Sequence, residues 1–186
     1  MSVPDPAWQP TDLPGVWRRR LTWHEDARGA FSELWRASWT DPFGELSFVQ
    51  ANLSRSAPRV LRGLHLHRRQ ADLWTVLDGP GVAALVDVRG LVAGTASRPA
   101  VALHELEAGT QLYIPRLVAH GFYARNALLL AYLVTNEYDG SDELGFAWDD
   151  ADAAVPWPDH APILSERDAS NPPLRELAAR LRGGAA

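Results

Sequence analysis

Between Leu21 and about Asp139 apolar and polar residues alternate in short runs broken by turn residues, with no sustained helical period. The pattern predicts strands at Gly29–Trp35, Leu46–Leu53, Val60–Leu66, Leu73–Leu77, Val82–Val88, Val101–Leu106, Gln111–Ile114, His120–Arg125 and Leu128–Glu137. The intervening Asp78-Gly79-Pro80-Gly81, Ala93-Gly94-Thr95 and Glu107-Ala108-Gly109 suit turns that need a positive or fixed φ. Many short strands at such spacing predict a mainly β fold, a sandwich or barrel.

Both flanks break the pattern. Pro4, Pro6, Pro10 and Pro14 remove backbone donors and disfavour helix, so residues 1–20 are expected to form an extended arm that frays or lies against a partner. The basic run Arg18-Arg19-Arg20 within it is expected to be a solvated face. At the other end, Asn171-Pro172-Pro173 precedes Leu174, Leu177, Ala178 and Leu181, an apolar stripe at helical spacing. Residues 171–186 are expected to be a helix, begun by Asn171 and ending in a flexible Gly183-Gly184-Ala185-Ala186 tail, packed on a single domain spanning 21–170.

Composition narrows the chemistry. With 186 residues and 46% hydrophobic content the chain has enough for one core. A formal charge of −5 gives no attraction toward a nucleic-acid backbone. No run approaches the length of a membrane helix, and the start lacks the features of an export signal, so a cytoplasmic protein without membrane or nucleic-acid partners is expected. There is no cysteine, which removes thiolate nucleophiles and zinc–thiolate sites. Every basic residue of the Lys–Arg pair is arginine, so any cation in a site must be arginine, histidine or a metal.

His65 and His67 stand two apart in a predicted strand and therefore share a face. His120 ends the segment Ile114-Pro115-Arg116-Leu117-Val118-Ala119-His120, which a barrel can bring to them. His24, His104 and His160 have no such company and read as ordinary hydrogen-bonded residues. Around the grouped histidines run Val60-Leu61-Arg62-Gly63-Leu64-His65, His120-Gly121-Phe122, Asp26-Ala27-Arg28-Gly29 with Phe31 and Glu33, and Phe48-Val49-Gln50-Ala51-Asn52. Tyr132 with Thr135-Asn136-Glu137-Tyr138, Trp157-Pro158, and Leu164-Ser165-Glu166-Arg167-Asp168 follow in order. In these motifs the chain resembles the dTDP-4-dehydrorhamnose 3,5-epimerase family over roughly residues 20–170.

The resemblance implies a cupin jelly-roll β-barrel that inverts C3, C5 or both of a dTDP-4-keto-6-deoxyhexose without a cofactor, as a homodimer in deoxysugar biosynthesis. It makes His65 the general base, Asp168 its partner and Tyr132 the general acid. Arg28, Arg62 and Arg167 become contacts to diphosphate or sugar, Glu33, Gln50 and Asn52 contacts to the nucleotide, and His120 and Tyr138 further substrate-binding residues. The chemistry suits these types: a proton beside a ketone needs a near-neutral base, a carboxylate fixes the imidazole tautomer, and a tyrosine hydroxyl can donate on the opposite sugar face.

Two positions depart from the family. Asp72 stands where the family carries a lysine near the substrate carbonyl, and His67 where glutamine is common. Gly63, His65, His67, Asp72 and Gly79, then Gly109, Pro115 and His120, follow the spacing of metal-binding cupins. A second reading is therefore a metal-dependent oxygenase, isomerase or lyase holding Fe(II), Mn(II), Ni(II), Cu(II) or Zn(II) through His65, His67, Asp72 and His120. The two readings compete for His65, because a nitrogen bound to metal cannot also take a proton. A mixed form leaves His65 as the base and gives the metal to the other three. Against both stands the bland reading that Asp72 pairs with an arginine, and a third function class, a non-catalytic sugar-nucleotide-binding module.

Overall fold

β8 (Gly81–Asp87) shows how the strands are read by two layers at once. Ala83 and Leu85 enter one core cluster, while Ala84 and Val86 enter another on the opposite face, so the run is apolar throughout instead of alternating. The computed structural model describes residues 8–39, 43–44 and 47–183. Its other strands are β1 (Gln9–Pro10), β2 (Trp17–Arg20), β3 (His24–Asp26), β4 (Gly29–Phe31), β5 (Gln50–Ser56), β6 (Leu61–Leu66) and β7 (Asp72–Asp78). After β8 come β9 (Ala100–Leu106), β10 (Thr110–Ile114), β11 (Val118–Ala124), β12 (Leu128–Val134) and β13 (Leu144–Gly145). The helices among the described residues are α1 (Arg89–Ala93), α2 (Glu166–Ala169) and α3 (Leu174–Gly183).

Two antiparallel sheets make a jelly-roll barrel. One runs β1-β2-β10-β7-β12-β5 and the other β13-β6-β11-β8-β9, with β3 and β4 as a separate hairpin. Between the sheets lies a core that includes Trp74, Val76, Leu85, Leu112, Ile114, Phe122, Leu128 and Leu130. Outside the five-stranded sheet, Leu61, Leu64, Leu66, Val86 and Tyr123 pack against Phe146, Trp157, Leu174 and Leu177 of the C-terminal segment. Outside the six-stranded sheet, Leu73 and Tyr113 are covered by Trp8, Trp17, Trp35, Phe43 and Phe48.

Where the arm is expected, residues 1–7 lie outside the described residues, and from Gln9 the chain is already part of the barrel. β2 pairs with β10 from Trp17↔Tyr113 to Arg20↔Thr110, and Leu13 and Val16 join the inter-sheet core. Pro10 is tolerated because β1 is the edge strand. The basic run is not one solvated face. Arg19 is 2% exposed, lies over Trp8 and Trp39 at 4.6 and 4.4 Å, and donates through Nε to Gln111 Oε1 at 2.5 Å. The strand run predicted from Leu46 begins outside the described residues and is regular only from Gln50.

The C-terminal helix forms, but its start differs from the expectation. α3 begins at Leu174, whose N–H donates to Asp150 Oδ2 at 2.9 Å, so the capping carboxylate comes from a distant loop and not from Asn171. Residues 184–186 of the expected flexible tail lie outside the described residues. α2 has no counterpart among the predicted elements; Ser165 caps it, accepting from Asp168 N at 3.1 Å. No described helix is long and apolar enough to cross a membrane.

Candidate active site

Cross-strand register decides what faces the barrel interior. On the six-stranded sheet Asn52, Tyr132 and Trp74 lie in one row across β5, β12 and β7, and Gln50, Val134 and Asp72 in the next. On the opposing sheet His65 of β6 pairs with His120 of β11. Together these side chains line a cavity of about 260 Å³, with Ser54, Arg62, His67, Gln70, Phe122, Leu130, Tyr138 and Glu143.

Arg62 and His65 both face this cavity although they are three residues apart, a spacing that regular alternation sends to opposite faces. The register of β6 against β11 shifts between His120 and Phe122, and Gly63 at the same point has a φ of 121°. A Cβ on Gly63 would lie 2.6 Å from Gly121 Cα and 2.8 Å from His120 O. Glycine at 63 thus permits both the turned backbone and the close approach, and the irregularity turns Arg62 and His65 to one side.

His65 Nε2 and Asp168 Oδ1 are 2.7 Å apart. Asp168 is almost fully buried in the first turn of α2. Burial by itself would raise its carboxyl. The His65 hydrogen bond and charge, the Ser165 side chain and a backbone hydrogen bond from Gly63 outweigh that and hold it below the ordinary carboxylate range. With Nε2–H donated to the carboxylate, Nδ1 of His65 is left as the basic nitrogen. Tyr132 is held protonated: burial raises its phenol first, the negative charges of Asp72 and Glu143 add to this, and Arg62 opposes.

His67, Asp72 and His120 form a second, deeper group. All three are buried, and one ligand atom from each lies within 4.8 Å of the others. His65 is not part of that group, so the four-ligand metal reading loses its first histidine to Asp168. Nor does Asp72 pair with an arginine among the described residues. Gln70 Nε2 donates to its Oδ1 at 2.9 Å, Trp74 Nε1 to Oδ2 at 3.3 Å, and His120 Nε2 stands 3.6 Å from Oδ2. Burial, followed by the neighbouring His67 and His65, pulls His120 down to about 4 against the opposing pull of Asp72 and of the Val118 carbonyl.

Of the substrate-binding residues expected from sequence, Gln50, Asn52, Arg62, His120 and Tyr138 line the cavity. Arg28 does not: it sits in the exposed β3–β4 turn, paired with Asp26 at 2.6 Å and with its side chain 90% exposed. Glu33 pairs with Arg36 at 2.5 Å, outside the lining, and Arg167 reaches Glu143 at 3.2 Å from outside. Trp74, Gln70, Ser54 and Glu143 line the cavity without having been singled out. The period of two places Trp74 and Ser54 beside Asp72 and Asn52; Glu143 lies in a loop, where no such signal exists.

A jelly-roll barrel whose histidine-lined cavity lies between its sheets is the architecture of a cupin. Residues 10–176 match the family model described as dTDP-4-dehydrorhamnose 3,5-epimerase. The chain is 35% identical over 159 residues to the dTDP-4-dehydrorhamnose 3,5-epimerase of Sinorhizobium fredii, covering 82% of this chain and 81% of that one. A 4-keto-6-deoxy sugar epimerase from the novobiocin biosynthetic gene cluster of Streptomyces spheroides superposes with a TM-score of 0.84 at 28% identity, covering 95% and 92% of the two chains. A 3'-monoepimerase from Streptomyces bikiniensis in complex with dTDP-quinovose does so at 0.81 and 29%, covering 92% and 89%. The chain belongs to the dTDP-4-dehydrorhamnose 3,5-epimerase family.

Proposed function

We propose that the protein inverts C3, or C3 and C5, of a dTDP-linked 4-keto-6-deoxyhexose by reversible enolisation. The carrying observation is the 2.7 Å His65–Asp168 pair, which faces a cavity also lined by Tyr132. His65 Nδ1 takes the proton from the carbon beside the C4 ketone, the C–H electron pair moves into the ring, and the carbonyl oxygen becomes an enolate. Asp168 holds the resulting imidazolium. Tyr132 delivers a proton to the opposite face of the same carbon, which restores the ketone with inverted configuration, and solvent resets both groups. A positioned base of this kind contributes on the order of 10²–10⁴ in rate.

Arg62 supplies a cation inside the cavity for a diphosphate, while Gln50 and Asn52 offer amide groups to the base or sugar. Ser54 Oγ is enclosed without a hydrogen-bond partner among the described residues and adds one more donor on the same strand. We include a homodimer in the proposal. Arg28 lies outside its own chain's cavity with an exposed side chain, and Trp23 and Phe31 near it are exposed, which supports a hairpin that meets a second copy.

The test is incubation with dTDP-4-keto-6-deoxyhexoses in heavy water. Deuterium should enter at C3, and His65→Asn should abolish it. Absence of exchange at both C3 and C5 across several such sugars would sink the reading.

A further inference from the structure

We propose that His67, Asp72 and His120 bind one divalent first-row transition-metal ion within the cavity, leaving His65 free as the base. Two imidazoles and a carboxylate are the donors such ions favour, whereas magnesium and calcium prefer oxygen throughout. The ligand atoms lie within 4.8 Å of one another, and the His120–Asp72 separation is 3.6 Å. Ligand atoms around a metal at bond lengths of about 2.1 Å stand roughly 3 Å apart, so the group closes on an ion through small side-chain rotations.

Each donor is already oriented by a partner of its own. His67 Nδ1 is 3.0 Å from the Asp142 carbonyl and His120 Nδ1 is 3.1 Å from the Val118 carbonyl. A ring N–H given to a backbone oxygen leaves Nε2 as the lone-pair nitrogen, the arrangement that supports a metal-ligating histidine. Gln70 and Trp74 each donate to one oxygen of Asp72, which fits an ionised carboxylate. That carboxylate is 3% exposed and has no arginine partner among the described residues, and the chain contains no lysine. A buried anion without a counter-charge is costly, and a dication provides one. The remaining coordination positions open onto the cavity that Tyr132 and Arg62 line.

When bound, such an ion supplies Lewis acidity to a carbonyl or enolate oxygen. That role rests on the epimerase reading; the binding site does not, and the experiment separates them. Untagged protein would be stripped with chelator, loaded anaerobically with Co(II), Fe(II), Mn(II) or Zn(II) in turn, and assayed by elemental analysis, cobalt absorption and melting temperature. Wild type should take up about one ion per chain and melt higher when loaded. Asp72→Asn and His67→Gln should each weaken binding at least about tenfold while retaining the barrel's circular dichroism. His65→Asn should bind metal as wild type does and lose deuterium exchange. Less than about a tenth of an equivalent of every ion in folded wild type overturns the proposal. So does a loss of metal in His65→Asn equal to that in Asp72→Asn. Stoichiometric metal with no exchange on any sugar would sink the epimerase reading and leave the site standing.

Discussion

His120 and Asp168 show the same burial acting on two groups of opposite charge type. For His120 the pKa in the folded protein is about 4, below the 6.5 of free imidazole, so as pH falls the unfolded chain takes up the proton first. The metal-free protein keeps its full stability from this group above about pH 6.5 and loses it progressively as pH falls toward about 4. Melting temperature measured across that range should fall, and His120→Gln should flatten the fall. Asp168, also depressed, acts with the same sign at lower pH: its contribution is complete above the unfolded carboxyl's pKa and vanishes as the folded one is protonated. In catalysis the acid and the carboxylate that supports the base should separate. Tyr132→Phe should retain deuterium exchange and impair inversion, since enolate formation needs only the base, whereas Asp168→Asn should lower exchange by about 10²-fold or more.

The strands were legible because their faces are simple, and the irregular points were not. Gln50, Asn52, Tyr132 and Asp72 follow from a period of two once strands are placed, and so does the His65–His67 pair. The shared orientation of Arg62 and His65 depends on the break at Gly63, where alternation fails. Gly63→Ala places a methyl group 2.6 Å from Gly121 Cα at a φ few side chains adopt, and should destabilise by about 3 kcal/mol or more in denaturant titration. α3 was readable from its apolar stripe, yet its cap was not, because Asp150 is 24 residues earlier in the chain. Asp150→Ala should cost about 1 kcal/mol by the same measurement, less than the 2–5 kcal/mol that Leu177→Ala costs by emptying a packed site (roughly, in each case).

Across the fold, the N-terminal segment departs from its sequence pattern for a physical reason. Proline-rich sequence and an arginine run are surface signals, but Trp8, Trp17, Trp35 and Trp39 provide an aromatic layer into which Arg19 can be drawn. Removing that charge should loosen the layer and the outer face of the six-stranded sheet together. Arg19→Ala should lower stability by about 2 kcal/mol or more, with hydrogen exchange rising first in β2 and β10. The family relationship was legible from ordered motifs, while the split between a His65–Asp168 pair and a separate His67–Asp72–His120 group needed three-dimensional distances.

The pairing of β6 with α2 also sets an order in time. His65 precedes its carboxylate by 103 residues, and a ribosome adding about 5–20 residues per second spends roughly 5–20 seconds between the two. Throughout that interval the emerging chain holds an imidazole without its carboxylate. A chain cut just after β12 keeps ten of the eleven strands of the two main sheets, losing only β13, and it loses Asp168 as well. On the proposed mechanism the carboxylate that holds the base is therefore supplied late, by the segment that closes over the five-stranded sheet, and a nascent barrel enolises what it binds at full rate only once that closure is made.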